Sequence, residues 1–525
     1  MSQISETVTY HDPLKLWKNF TSLPDKNVDL ISFFMKGALS LSLFASIIFF
    51  LYSAYSNQTP WLICPICDDN NSISTNVHHH HHHPSVDIHN PDKTNISHIV
   101  FGIGGSVKSW QERRYYSELW WKKNVTRGFV WLDEKPADTW PETSPPYQIS
   151  EDTLSFKFTN TYGSRSAIRI ARIVLESFKL GFDNVRWFVL GDDDTVFFVE
   201  NLVEVLSIYD HNQMYYIGGN SESIEQDVIH SYTMAYGGGG IAISYPLVEQ
   251  LVKLLDGCIN RYADLYGSDE RIGACMAEIG VPLTHELGFH QIDVRGDPYG
   301  LLAAHPVAPL ISLHHLDALK PIFPAGDSLD SLRKLVGAYK MDPARTLQQS
   351  FCYALDSKWS ISVSWGYTVQ IYPVLLTAKE LKTPLQTFST WRSWSDGPFS
   401  FNTRPMSAEA CERPVIFYLD HVDEVRPGET CSSYKRYLGE TGGDCELPTY
   451  APVLALQTVN VSSSKMDQED WNLRSPYPTA LQQLFPAAQW IDSVFRDPRS
   501  KQHFKELNNA IPHIRSYSTH FSGAI

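Results

Sequence analysis

The sequence predicts an α/β fold, a mixed sheet flanked by helices, set between an N-terminal transmembrane helix and a mainly β C-terminal module. Three observations lead there. Between Ser97 and Pro324 short apolar runs alternate with segments of helical periodicity, the pattern of βαβ units. From Gly37 to Tyr55 the chain carries no charge, over about the length a helix needs to cross a bilayer. From Trp359 to Tyr372, the residues Ile361, Val363, Trp365, Tyr367, Val369 and Ile371 recur at the period of a strand. The 525 residues then divide into a cytosolic tail (1–30), an anchor (31–55), a stem (56–95), the α/β domain (96–325), the β module (326–480) and a C-terminal tail (481–525).

The anchor comes first. Ile31 to Tyr55 is interrupted by charge only at Lys36, begins too far in and runs too long for a cleaved signal, and so reads as a signal-anchor. Lys15, Lys18, Lys26 and Lys36 precede the span, and no Lys or Arg follows it until Lys93. That asymmetry keeps the N-terminus cytosolic and places the rest on the lumenal side, as a single-pass type II membrane protein. The stem is rich in Asn, Ser, Asp and Pro and carries the run His78 to His83, which reads as a low-complexity spacer. Sequons at Asn57, Asn70, Asn95, Asn124 and Asn460 fall on the lumenal side, as expected of a glycoprotein. Cys64 and Cys67 have no second pair near them, which favours a local disulfide or a stem-joined homodimer over a zinc ribbon. Eight cysteines suffice for two or three bridges, and proximity favours Cys258 with Cys275 and Cys431 with Cys445.

Within the α/β domain, His98 to Gly102 reads as a first strand, Val107 to Lys123 as a helix, and Gly128 to Leu132 as a second strand ending at Asp133 and Glu134. Ile168, Ala171, Val174, Leu175 and Phe178 keep helical spacing ahead of Val185 to Leu190, an apolar run that reads as a buried strand. Right-handed crossovers collect such strand ends on one edge, where α/β sheets bind ligands. Asp192, Asp193 and Asp194 stand there, directly after the run. A turn or an N-cap needs one Asp, and three together repel unless a cation or protons relieve them. Hard carboxylates suit Mg²⁺ or Mn²⁺, which often takes further oxygens from a substrate phosphate, so the triplet predicts a metal-bound diphosphate. A formal net charge of −15 without a Lys/Arg stripe excludes nucleic acid as the partner and leaves the phosphates to metal and backbone.

Further candidates follow along the chain. Gly102 to Ser106 departs from the dinucleotide fingerprint spacing but lets backbone approach a nucleoside that Asp133 could also meet; an ordinary strand-to-helix turn is the alternative. Four consecutive glycines, Gly237 to Gly240, carry a large conformational cost, most simply accepted for close approach of a ligand. Asp269 and Glu270 open a helical pattern, Ile272 to Ile279, where Ser268 or Asp269 could equally be an N-cap. Of the adjacent His314 and His315, only one can face a given site from an extended segment. Trp359, Trp365, Trp391 and Trp394 suit stacking on sugars, though core packing is the commoner fate of such residues.

Taken in order, WFVLGDDDTVFF (187–198), AYGGGGIAIS (235–244), YGSDERIGACMAEIGVPLT (266–284) and SLHHLDALKPIFP (312–324), behind a span and stem, resemble the plant Fringe-related glycosyltransferases. The likeness is strong over 97–325 and continues less specifically to about 450. It implies a Golgi membrane enzyme of GT-A fold that uses a UDP-sugar and Mn²⁺ (or Mg²⁺) and inverts the anomeric centre, with a glycan, glycoprotein or glycoside as acceptor and a β-1,3 linkage as product. By position it implies Asp192 and Asp194 as metal ligands, His315 completing the metal site, and Asp193 beside them. It implies Asp269 as catalytic base with Glu270 next to it, where relatives often have Asp, Gly238, Gly239 and Gly240 beside the donor sugar, and Asp133 at the uracil. An inverting transfer requires a carboxylate to take the acceptor's proton and a metal to stabilise the leaving diphosphate, and this set supplies both. Two other classes stay open: a binding protein on the same scaffold, and a metal-dependent hydrolase, which lacks the His/Asp cluster for a second metal.

Overall fold

The computed structural model describes residues 93–306, 308–324, 326–355, 357–438 and 445–467, and the backbone of 490–492. The expected anchor at 31–55, the stem up to residue 92 and nearly all of the C-terminal tail lie outside these residues. Among the described residues no helix is long and apolar enough to cross a membrane.

The first sheet is built from β1 (Ile99–Gly104), β2 (Arg127–Leu132), β3 (Tyr147–Ile149), β4 (Trp187–Asp192), β6 (Tyr216–Gly218), β7 (Ile241–Ser244) and β8 (Leu283–His285), with the two-residue β5 (Val196–Phe197) lying outside it. Its order is β3-β2-β1-β4-β7-β6-β8. The first four of these run parallel, while β7 is antiparallel to both β4 and β6, so the sheet is mixed. Both β1 and β4 are sandwiched between layers, which is why they read as continuous apolar runs rather than alternating ones.

One face of this sheet is covered by the helices Ser166–Ala171, Ile173–Lys179, Tyr245–Arg261 and Ser268–Ile279, packed around Ile168, Val174, Leu251 and Ile272. The spacing from Ile168 to Phe178 predicts one helix; the chain makes two, meeting at Arg172. The buried Arg172 guanidinium bonds Glu151, Glu176 and Asp256, a polar anchor that apolar periodicity does not report. Pro246 sits in the first turn of its helix, where its missing N–H costs nothing. Cys258 and Cys275 form the expected bridge, joining the last two helices.

Beyond the first sheet come β9 (Phe289–His290), β10 (Val294–Gly296) and β11 (Ser312–Leu313), then the helix Ser328–Met341. A second, seven-stranded sheet follows, with β15 (Leu385–Gln386), β16 (Phe388–Thr390) and β17 (Arg404–Pro405) outside it. Its members are β12 (Gln349–Ala354), β13 (Trp359–Ser364), β14 (Thr368–Tyr372), β18 (Val415–Arg426), β19 (Glu429–Arg436), β20 (Thr458–Ser464) and β21 (Trp490–Asp492), antiparallel throughout and in that order. The alternating run Trp359 to Tyr372 is a hairpin turning at Gly366, whose φ of +77° favours glycine. Both of its faces are buried. The apolar face enters the core, and the polar face meets the helix Tyr299–Ala303, with Ser364 Oγ donating to Leu302 O at 3.0 Å and Gln370 Nε2 donating to Tyr299 Oη at 2.7 Å.

One hydrophobic core runs from Ile99 and Phe101 of the first sheet through Leu313 to Val369 and Val461 of the second, so the β module packs as part of one body with the α/β layers. Cys445 bridges to Cys411 rather than to Cys431. Nearness in sequence misled here, because Cys431 sits within β19 opposite Asp423 and Ser462, whereas the short turn Ala410–Glu412 brings Cys411 to a Cα separation of 4.8 Å from Cys445.

Candidate active site

Asp192 ends β4, and the turn after it fans the triplet apart. Thr195 closes this turn, its N–H donating to Asp192 O at 3.0 Å and its hydroxyl accepting from Asp192 N at 2.9 Å. Asp193 points to the helix Val107–Glu118, accepting from Ser109 Oγ at 2.7 Å and Arg113 Nη1 at 3.1 Å. Asp194 points the other way, toward His314. A three-stranded sheet causes that meeting: β11 pairs Leu313 with Val196 of β5 on one side and with His290 of β9 on the other, delivering the following residue to the triplet.

Asp192, Asp194 and His314 offer ligand atoms that all lie within 4.8 Å of one another. Asp194 Oδ1 stands 3.1 Å from His314 Nε2, and Asp192 Oδ2 stands 3.8 Å from it. Asp194 Oδ1 is buried, with His314 Nε2 beside it but off hydrogen-bond geometry, and His314 Nδ1 is buried without a hydrogen-bond partner among the described residues. A buried carboxylate oxygen whose one neighbour is a misaligned imidazole is poorly satisfied, and a divalent cation would satisfy it. Burial and the neighbouring Asp194 and Asp193 push the Asp192 carboxyl up to about 7 against the pull of His314. Asp194 is held well below the usual carboxylate range; His314 and Arg113 outweigh its burial. His314 itself rises to about 9, since Asp194 and Asp192 outweigh its own burial.

The histidine that the structure brings into this cluster is His314, where the sequence reading expected His315. His315 adopts a left-handed backbone, φ +56°, which turns its ring away from the line of β11. Its Nδ1 donates to Asp293 at 2.8 Å, and its ring lies flat on Trp391, 4.5 Å away at 8°.

The four glycines connect the cluster to Asp269. Gly237 N donates to Asp269 Oδ2 at 3.2 Å. Gly238 O accepts from Thr195 Oγ1 at 2.8 Å, and a Cβ on Gly238 would lie 2.1–2.4 Å from three atoms of the His314 ring. Gly239 N donates to Gln291 Oε1 at 2.7 Å, and its carbonyl accepts from Ser312 Oγ. Gly240 turns the chain into β7 at φ +104°. The sequence suggested ligand approach as the reason for these glycines; at Gly238 the close approach is by the protein's own His314. Gly238→Ala should accordingly displace that ring, costing about 1–3 kcal/mol of stability and abolishing the melting-temperature rise expected of the wild type with Mn²⁺. Paired thermal melts with and without metal check this, and an unchanged Mn²⁺ response would reject it.

The helix pattern predicted from Ile272 begins at Ser268, with Gly267 as N-cap, so Asp269 and Glu270 both lie in its first turn. Their roles diverge. Glu270 turns back to accept from the amides of Tyr266 and Gly267 and pairs with His230 Nδ1 at 2.5 Å, the acid of a capping box. Asp269 accepts from Gly237 N and from Glu270 N at 2.9 Å and lines the same recess as Asp192, about 280 Å³ including its mouth. Burial raises the Asp269 carboxyl above its ordinary value, with the two amides pulling the other way.

Asp133 stands apart from the cluster. Its carboxylate accepts from Ser106 Oγ at 2.8 Å and Val107 N at 2.9 Å, capping the helix Val107–Glu118. These bonds overcome partial burial and keep it below its ordinary value. Arg113 was not anticipated. It bridges Asp193, Asp194 at 3.2 Å and Asp317 at 3.4 Å, so a fixed cation stands where only metal and backbone were expected to meet phosphate. The available signal was Arg113 itself, midway along the helix that follows β1, in a chain with no basic stripe. Gln291 and Asp293 were missed as well, and nothing in their local sequence marks them; Trp391 was singled out only for stacking on sugars, and its ring stacks on His315 instead.

Residues 130–295 match the family model described as Fringe-like, and residues 226–478 match the one described as protein of unknown function, DUF604. A β-1,3-glucosyltransferase of Mus musculus is 30% identical over 150 residues, 28% of this chain and 29% of that protein. Its Homo sapiens counterpart is 31% identical over 145 residues, 27% of each. The chain thus spans under a third of the length of these curated relatives. Among solved structures, the catalytic domain of Drosophila β1,4-galactosyltransferase 7 in complex with xylobiose matches 35% of this chain and 64% of that one, at 12% identity and a TM-score of 0.21, too low to bear on the fold.

Proposed function

We propose that this chain, which belongs to the Fringe-related β-1,3-glycosyltransferase family, moves a sugar from a UDP-sugar to an acceptor hydroxyl with inversion, forming a β-1,3 linkage. The observation that supports this reading is one recess shared by two kinds of carboxylate: Asp192, clustered with Asp194 and His314, and Asp269, held by backbone amides.

Asp192, Asp194 and His314 would hold a divalent cation, and two carboxylates with one imidazole suit Mn²⁺ better than Mg²⁺, which favours an all-oxygen shell. Bound there, the cation would neutralise charge on the departing diphosphate. Arg113 adds a fixed positive charge on the same side. Asp269 takes the proton from the acceptor hydroxyl, and its raised affinity for protons makes it a stronger base than a free Asp. Asp193 holds the helix Val107–Glu118 through Ser109 and Arg113, Gly238 to Gly240 form the wall beside the donor sugar, and Asp133 with the turn at Ser106 faces the nucleoside. Glycan, glycoprotein or glycoside acceptors, and a Golgi lumenal setting behind the span at 31–55, belong to the same proposal.

The test is a panel of UDP-glucose, UDP-galactose and UDP-N-acetylglucosamine offered to the full-length protein with Mn²⁺ or with chelator. Mn²⁺-dependent hydrolysis of one donor, accelerated by a sugar acceptor, is the expected result. Donor binding with no turnover under any condition would make the chain a binding protein, and equal turnover in chelator would remove the metal.

A further inference from the structure

We infer that the β module supplies the acceptor side of this site, through the exposed ring of Trp394 acting as a stacking platform for a pyranose of a saccharide acceptor. The identity of the ligand rests on the transferase reading; the platform rests on geometry. Trp394 lies beyond the Fringe-like match, on a loop that β16 carries back to the α/β layers by pairing Thr390 with Val294 of β10.

A column of rings leads from the aspartates to that loop. His314 and His315 are 3.9 Å apart, His315 and Trp391 4.5 Å, and the Arg295 guanidinium lies 4.2 Å from the Trp391 ring and 4.8 Å from the Trp394 ring. Arg295 Nε donates to Trp391 O at 2.7 Å, which fixes the guanidinium in place. Trp391 is half-buried, its ring already engaged by His315 and by Arg295. Trp394 is backed by Arg295, yet 64% of it is exposed, unlike most tryptophans of this fold, which are buried. An apolar ring backed on one side and open to water on the other suits the C–H face of a sugar.

The loop is also held in a conformation that packing alone does not call for. Trp394 has φ +55°, where a bulky residue is a rare outlier of the kind found at ligand sites. Thr390 Oγ1 bonds Ser393 Oγ at 2.7 Å and accepts from Ser395 N at 3.0 Å, while Glu225 accepts from the amides of Arg392 and Ser393. These bonds keep the ring exposed at a fixed place. Several layers separate Trp394 from His314, so it would meet a sugar beyond the one bearing the reacting hydroxyl.

The experiment compares full-length wild type with Trp394→Gly and Trp394→Tyr, using p-nitrophenyl mono- and disaccharide glycosides as acceptors and immobilised oligosaccharides for binding without donor. Glycine relieves the left-handed backbone, so Trp394→Gly should melt no lower than wild type and keep Mn²⁺-dependent UDP-sugar hydrolysis. Its KM for disaccharide acceptors should rise about tenfold, more than for monosaccharides, and Trp394→Tyr should stay near wild type. An unchanged KM in Trp394→Gly overturns the inference. Where wild type hydrolyses no donor, the transferase reading fails and the oligosaccharide surface decides: retention lost in Trp394→Gly keeps the platform, and equal or absent retention removes it.

Discussion

Asp269→Asn should lower sugar transfer by about two to four orders of magnitude while leaving donor affinity and melting temperature nearly unchanged. The amide keeps one oxygen to accept from Gly237 N or Glu270 N, so the first turn of the helix survives, but it cannot take a proton from the acceptor. Glu270→Gln should do the opposite. It weakens a capping box and removes the charge facing His230, costing about 1 kcal/mol of stability with transfer reduced only modestly. That cost should depend on pH. The bond to Glu270 raises the His230 pKa, so its contribution is complete below about 6.5 and fades as pH climbs through the raised folded value. Despite burial, His230 and the helix amides lower the Glu270 pKa, so its contribution is present above about 4.3 and fades as pH falls through the lowered value. The melting-temperature gap between wild type and Glu270→Gln is therefore expected to be widest between about pH 4.3 and 6.5 and to narrow as pH rises above that window. Lost transfer in Glu270→Gln with normal transfer in Asp269→Asn would move the base one residue along.

Asp194→Asn and His314→Gln should each weaken Mn²⁺-dependent donor binding by at least about 100-fold, whereas His315→Gln should stay within about tenfold of wild type. Asp194 supplies a buried carboxylate oxygen and His314 a ring nitrogen 3.1 Å from it, both within the cluster. His315 spends its Nδ1 on Asp293 and its ring on Trp391. Calorimetric titration of the donor at fixed Mn²⁺, with circular dichroism to verify folding, measures the three variants side by side. If His315→Gln is the variant that loses metal and His314→Gln the one that keeps it, the metal site belongs to His315 after all.

Several parts of this protein can be read from its residues in order. A strand buried on both faces must be apolar throughout and can carry charge only at its end, so the run to Leu190 followed by Asp192, Asp193 and Asp194 marks both the strand and the edge where ligands bind. Likewise, the glycine run and the acid pair signal constraint wherever they fall. What sequence leaves open is direction between neighbours. One step along a helix turns a side chain by about 100°, which sends Glu270 to the cap and Asp269 to the recess; one left-handed residue sends His315 to Trp391 while His314 meets Asp194. Tertiary structure alone decided these, and it alone brought Trp391 and Trp394 back across the fold to the histidines, because the pairing of β16 with β10 is a long-range contact that no local pattern encodes.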